Sequence, residues 1–191
     1  MIRTILLLLS LFFSSCTNGQ TWTTYTVPKG KTYCTPTISG GVGEKLEYYF
    51  RLDSTWSQLY QSPDNSTHKV CGISDLFGRN SIRLGVRRAE TIKGGLVACP
   101  YIHDRGRFTY TAFKDSSGNA LILRYNVKYF CSIKKIGNAW AITLYEGQTK
   151  IAYSIAQINI SAIGRRMSGV YVEVGSGGSL WDIRTDISFL K

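Results

Sequence analysis

The residues with the most chemical potential in this sequence are basic. Between positions 69 and 135 stand thirteen lysines and arginines against four acids, while the flanking segments are close to neutral. Arg83, Arg87, Arg107, Arg124 and Lys128 fall inside strand-like runs, at positions that should project outward. Cations gathered on one wall concentrate polyanions, an attraction that salt screens. Aromatic rings supply a second contact by packing against sugar faces. Trp56 and Trp181, in loop or strand-entry positions, are the candidates for that role. These seven residues predict a binding surface for an anionic glycan, a lipid phosphate or an acidic envelope protein.

Catalytic constellations are harder to find. His103 precedes Asp104 at an expected hairpin turn, which favours a structural role. His68 and Cys71 are three residues apart in a strand-like run, a spacing that sends two side chains to opposite faces. Twelve acids are scattered without a ladder that would seat two carboxylates across a cleft, as glycosidases require. Asp64, Asn65 and Asp75 do not form a recognised metal loop, and no metal or cofactor is expected. The stretch Gly175-Ser176-Gly177-Gly178 lacks the following Lys and helix of a phosphate loop. A hydrolase or lyase would need a carboxylate pair or a Tyr/Lys cluster assembled only by folding. Nucleic acid is not an expected partner, since no recognition motif is present.

The first fifteen residues explain the compartment. One positive charge at Arg3, a run of about ten apolar residues and the small pair Ser14-Ser15 form a secretory signal. Cys16 follows directly, as in a bacterial lipobox, and is the expected lipid anchor to a membrane. That leaves Cys34, Cys71, Cys99 and Cys131 as disulfide candidates in an oxidising compartment, or as buried thiols.

These side chains need elements to hold them, and the elements read as strands. Leu46, Tyr48, Phe50 and Leu52 alternate with polar positions, as do Ile82, Leu84 and Val86. The longest alternation runs from Leu121 through Leu123, Tyr125, Val127, Tyr129 and Cys131 to Ile133. Val170, Val172 and Val174 repeat it, followed by Ile183, Thr185, Ile187 and Phe189. Turn residues at 104–106, 115–119, 137–138 and 146–147 separate the runs. One weak helical candidate, 154–163, fits a strand or loop equally well. Short strands without βαβ alternation predict an all-β, two-sheet antiparallel sandwich of jelly-roll type over residues 44–191. Residues 16–43 read as a tether with one possible edge strand near 31–37.

The runs His68-Lys69-Val70-Cys71-Gly72-Ile73-Ser74 and Asn80-Ser81-Ile82-Arg83-Leu84-Gly85-Val86-Arg87 carry a resemblance, with the 101–107 hairpin and the closing Gly177-Gly178…Asp182-Ile183. Over roughly 66–189 they are similar to uncharacterised small β-sandwich proteins of gut-type Gram-negative bacteria and their phages. Val86 stands where that group has Trp. The resemblance implies the sandwich fold and permits a phage origin, and no activity is attached to it. The sequence therefore predicts a lipid-anchored, exported binding protein, placed at the outer membrane. An envelope interaction protein engaging an acidic partner is the alternative.

Overall fold

The computed structural model describes residues 20–62, 65–89, 95–174 and 177–190. The expected signal sequence, Cys16, Asp64 and the Gly175-Ser176 pair lie outside the described residues. The described residues form twelve strands: β1 (Thr23–Val27), β2 (Lys45–Leu52), β3 (His68–Ser74), β4 (Asn80–Arg88), β5 (Gly95–Asp104) and β6 (Arg107–Thr109). The second half adds β7 (Ile122–Arg124), β8 (Tyr129–Ile136), β9 (Ala139–Glu146), β10 (Thr149–Ala156), β11 (Arg166–Ser168) and β12 (Ile183–Phe189). The first sheet runs β1-β12-β2-β8-β9-β10 and the second β11-β3-β4-β5-β6, with β7 also on β5. All strand pairings among the described residues are antiparallel, and the two-sheet sandwich expected from the alternation is present.

Alternation explains the core. Leu46, Tyr48, Phe50 and Leu52 turn one face of β2 inward, where Phe50 stacks on Tyr129 of β8 at 5.6 Å between ring centres. Ile82, Leu84 and Val86 of β4 and Leu96 and Ala98 of β5 supply the opposing sheet. Removing this apolar surface from water is the main stabilising term.

Several local readings change. The stretch expected to be a tether contributes β1, at the edge of the first sheet rather than at 31–37, and residues 26 to 41 bridge to Thr35, Tyr171 and Arg166. The weak helical candidate is strand as far as Ala156 and irregular beyond it. A 3-10 helix instead covers Ser54–Gln61, opened by Asp53, whose carboxylate accepts from the Thr55 N–H.

The long alternation from Leu121 to Ile133 is not one strand. Asn126, in the left-handed region at φ 60°, turns the chain, and its N–H bonds to the Leu52 carbonyl at 2.8 Å. β7 therefore ends in the second sheet and β8 begins in the first. The inward pattern survives because both sheets face the same core, so periodicity alone does not reveal the crossover.

Candidate functional site

The outer face of the second sheet gathers an unusual set of side chains. Register places Arg83 of β4 between Gly72 of β3 and Tyr101 of β5, and Lys69 beside both Gly85 and Tyr171. A bulge between Lys69 and Cys71 fixes which side chains face out. It also turns His68 and Cys71 toward the same, inner side, opposite Val86 and Leu84, rather than to opposite faces as regular spacing implies. Buried among apolar neighbours, the Cys71 thiol is pushed well above its ordinary value, so no nucleophile arises there.

Two glycines form the floor. A Cβ on Gly72 would lie 2.2 Å from the Ile82 carbonyl oxygen and 2.5 Å from Arg83 Cα. A Cβ on Gly85 would meet Cys99 Sγ at 2.9 Å and Tyr101 Cβ at 3.1 Å. Only a residue without a side chain fits at either place.

The Lys69 ammonium sits 4.7 Å from the centre of the Tyr101 ring and 4.2 Å from that of Tyr171. Tyr33 closes on Tyr171 edge-on at 5.0 Å, and Tyr110 stacks on Tyr101 at 6.5 Å. The Tyr171 hydroxyl donates to Glu173 Oε2 at 2.6 Å. Burial, helped by the neighbouring Arg83 charge and opposed by Glu173, brings the Lys69 pKa down to about 8. Burial raises the Tyr101 hydroxyl to about 12, so it keeps its proton.

Arg83 is the other cation of the centre. Its Nε is buried and has no hydrogen-bond partner among the described residues. The ion pairs of the described residues join Lys45 to Glu47, Arg51 to Asp186, Arg124 to Glu146 and Lys135 to Glu44; Lys69 and Arg83 are in none of them. Two cations thus lie together among tyrosine rings with one carboxylate, Glu173, close by.

Cavities extend the face toward both edges of the sheet. One of 540 Å³ is lined by Tyr33, Phe77, Arg83, Arg166 and Met167, on the β11 side. One of 480 Å³ is lined by Arg87, Phe108, Tyr110 and Lys114, on the β6 side. Phe77 is 77% exposed and Tyr33 69% exposed, so large apolar rings stand in water at the rim. Five strands at about 4.8 Å spacing make the face roughly 19 Å wide, long enough for several sugar units.

Of the seven residues expected to form the surface, Arg83 and Arg87 share this face, one lining the cavity on the β11 side and the other the cavity on the β6 side. The other five do not. Arg107 neighbours Phe108, which stacks on His103 at 4.2 Å on the groove side, so alternation sends Arg107 to the other side of β6. Arg124 is bound to the Glu146 carboxylate, and Lys128 lies over the Tyr49 ring at 4.3 Å on the first sheet. The turn at Asn126 takes Lys128 to the first sheet, while Arg124, still on β7 of the second, is neutralised by Glu146. Trp56 is fully buried, with Nε1 donating to the Arg184 carbonyl at 2.9 Å, and offers no ring to a ligand. Trp181 is half-buried in a loop whose Ser179 pairs with the Pro28–Lys31 turn. The four cysteines are buried free thiols, with burial pushing Cys99 and Cys131 up to about 12.

These placements give a control. Arg124→Ala and Lys128→Ala are expected to leave affinity for an anionic oligosaccharide within about twofold of wild type, measured by calorimetry, because long-range contributions of exposed charges are screened.

Lys69, Tyr101, Tyr171 and Glu173 were not among the expected site residues. The signal was present: if Val170, Val172 and Val174 point inward, then Tyr171 and Glu173 point outward. The residues from Val170 to Val174 form isolated bridges to Tyr33, Lys69 and Gly177 rather than a regular strand.

The fold is shared with solved structures. Alginate lyase Aly36B, as a variant in complex with an alginate trisaccharide, superposes with a TM-score of 0.55 at 14% identity, over 86% of this chain and 78% of that one. A lysine- and tyrosine-to-alanine variant of the same enzyme, with an alginate tetrasaccharide, gives 0.52 at 13% identity, over 87% and 78%. The alginate lyase from Klebsiella pneumoniae gives 0.51 at 14% identity, over 79% of this chain and 60% of that one. At these identities the likeness establishes a common β-sandwich architecture. No family model and no curated protein matches the sequence, so the likeness to small sandwich proteins of gut-type bacteria rests on the motifs quoted above.

Proposed function

We propose that this protein binds an anionic polysaccharide, of the uronate type, across the outer face of its second sheet. The observation that carries this reading is the Lys69–Arg83 pair, two cations side by side among tyrosines with a buried, unpartnered Arg83 Nε. Holding like charges together costs free energy that a bound carboxylate would offset. Tyr33, Tyr110, Phe77 and Phe108 supply rings for the sugar faces. The occurrence of the same architecture in enzymes that hold alginate oligosaccharides supports the choice of ligand class. Export with a lipid at Cys16 would place the domain where such polymers occur.

The test is binding of alginate and polygalacturonate against a neutral dextran. Affinity for both polyuronates is expected to fall steadily with added salt, with no measurable binding of dextran. Equal binding of the neutral polymer, or affinity indifferent to salt, would overturn the assignment.

A second reading is favoured by one observation, the lowered Lys69 pKa beside tyrosines that keep their protons. Neutral Lys69 would take the proton from C5 of a uronate whose carboxylate is held by Arg83. The C4–C5 double bond forms as the C4–O bond breaks, and Tyr101 or Tyr171 returns a proton to the leaving oxygen. Ultraviolet absorbance from the unsaturated product would distinguish this β-elimination from binding alone.

A further inference from the structure

Sheet edges offer backbone groups to other chains, and most edges of this sandwich are closed. β1 is covered by the following segment, with the Thr26 N–H donating to the Thr35 carbonyl at 2.9 Å and the reverse bond at 2.6 Å. β11 and β6 are three residues each, and β11 is bridged at Arg166 by Gly41. β10 differs. It is eight residues long, ends the order of the first sheet, and pairs among the described residues with β9 alone.

From Ala152 to Ala156 nothing in β10 blunts that edge. It has no proline, and its single charge, Lys150, stands at the beginning, before a bulge between Lys150 and Ala152. After the bulge the strand is regular from Ala152 to Ala156. Tyr153 and Ile155 project outward there, 50% and 53% exposed.

We propose that β10 pairs with β10 of a second copy of this chain, antiparallel, about a two-fold axis through Ser154. Ser154 is the midpoint of the regular stretch. Centring there sets Tyr153 opposite Ile155 of the second copy, twice by symmetry, and Ala152 opposite Ala156. Aromatic and β-branched side chains directly across strands are a favourable pair, and here each covers a half-exposed partner. A centre at Tyr153 would set Ile155 against Ile151 in the bulge, and a centre at Ile155 would set Tyr153 against Gln157 beyond the strand. Lys150 falls outside the paired stretch, so no lysine faces its own copy. A self-complementary surface of this kind closes as a dimer and does not propagate. The two six-stranded sheets would join into one, with the second sheet of each copy, carrying Lys69 and Arg83, on the same side of it. Two binding faces in one particle would raise avidity for a long polymer.

Sedimentation of the protein at moderate salt is expected to show a dimer at micromolar concentration. The double variant Tyr153→Lys with Ile155→Lys, and its counterpart Tyr153→Glu with Ile155→Glu, should each weaken association at least tenfold with unchanged far-ultraviolet dichroism. Mixing the two should restore the dimer, because the register places opposite charges across the axis. A wild-type chain that stays monomeric, a dimer that survives both double variants, or a mixture that fails to associate overturns the proposal. Should a variant unfold, hydrogen exchange of the wild-type β10 amides decides. Protection that rises with protein concentration agrees with the pairing, and protection independent of it does not.

Discussion

Replacing Lys69 and Arg83 together by methionine is expected to lower affinity for a uronate oligosaccharide by roughly a hundredfold, as charge-assisted hydrogen bonds contribute about 1.5–3 kcal/mol each. Methionine retains much of the apolar stem, so packing against Tyr101 and Tyr171 is largely kept while the charge is lost. Each single replacement should give about a tenfold loss, since one cation remains to meet the carboxylate. The variants must unfold at temperatures close to wild type for the comparison to count. Calorimetric affinities alongside thermal melts provide both quantities. A double variant that binds within twofold of wild type would place the ligand elsewhere.

Affinity for the same oligosaccharide is expected to fall as pH rises through about 8, where Lys69 loses its proton. A bound carboxylate favours the charged amine, so binding above that pH must take up a proton, and each further unit costs close to tenfold. Stability moves in the opposite direction. Lys69 titrates near 10.5 when unfolded and about 8 when folded, so between these values the unfolded chain holds the extra proton. The contribution of this group to stability therefore rises with pH across that window and is least below it. Turnover by the elimination route would also rise through pH 8, because it needs the neutral amine. Binding and catalysis thus have opposite pH slopes, and one titration separates them. The Lys69→Met variant should flatten both.

The sandwich was legible because burial on one face imposes a period of two, and Leu46 to Leu52 or Ile82 to Val86 display it plainly. The hairpin turn at Arg105-Gly106 was legible for a similar reason, with both residues at positive φ, 47° and 87°. Strand partnership was not. Arg83 and Arg124 look alike in sequence and both lie on the second sheet, yet one lies among tyrosines and the other, at the end of β7, meets Glu146, the cross-strand partner of Tyr129. Trp56 looked like a loop aromatic because short 3-10 helices have little periodicity to read. Lys69 was hidden by the bulge beside it, which shifts the phase of β3 by one residue. Tyr171 and Glu173 could have been found by taking the outward phase of the valine run as seriously as the inward one.

The most direct measurement is a titration of the isotope-labelled protein with an alginate tetrasaccharide, followed by amide chemical shifts. The largest changes should fall on Lys69, Arg83, Gly85, Tyr101 and Tyr171, with the first-sheet residues Tyr49, Lys128 and Phe130 unmoved. Shifts confined to the first sheet, or none at saturating ligand, would contradict the account.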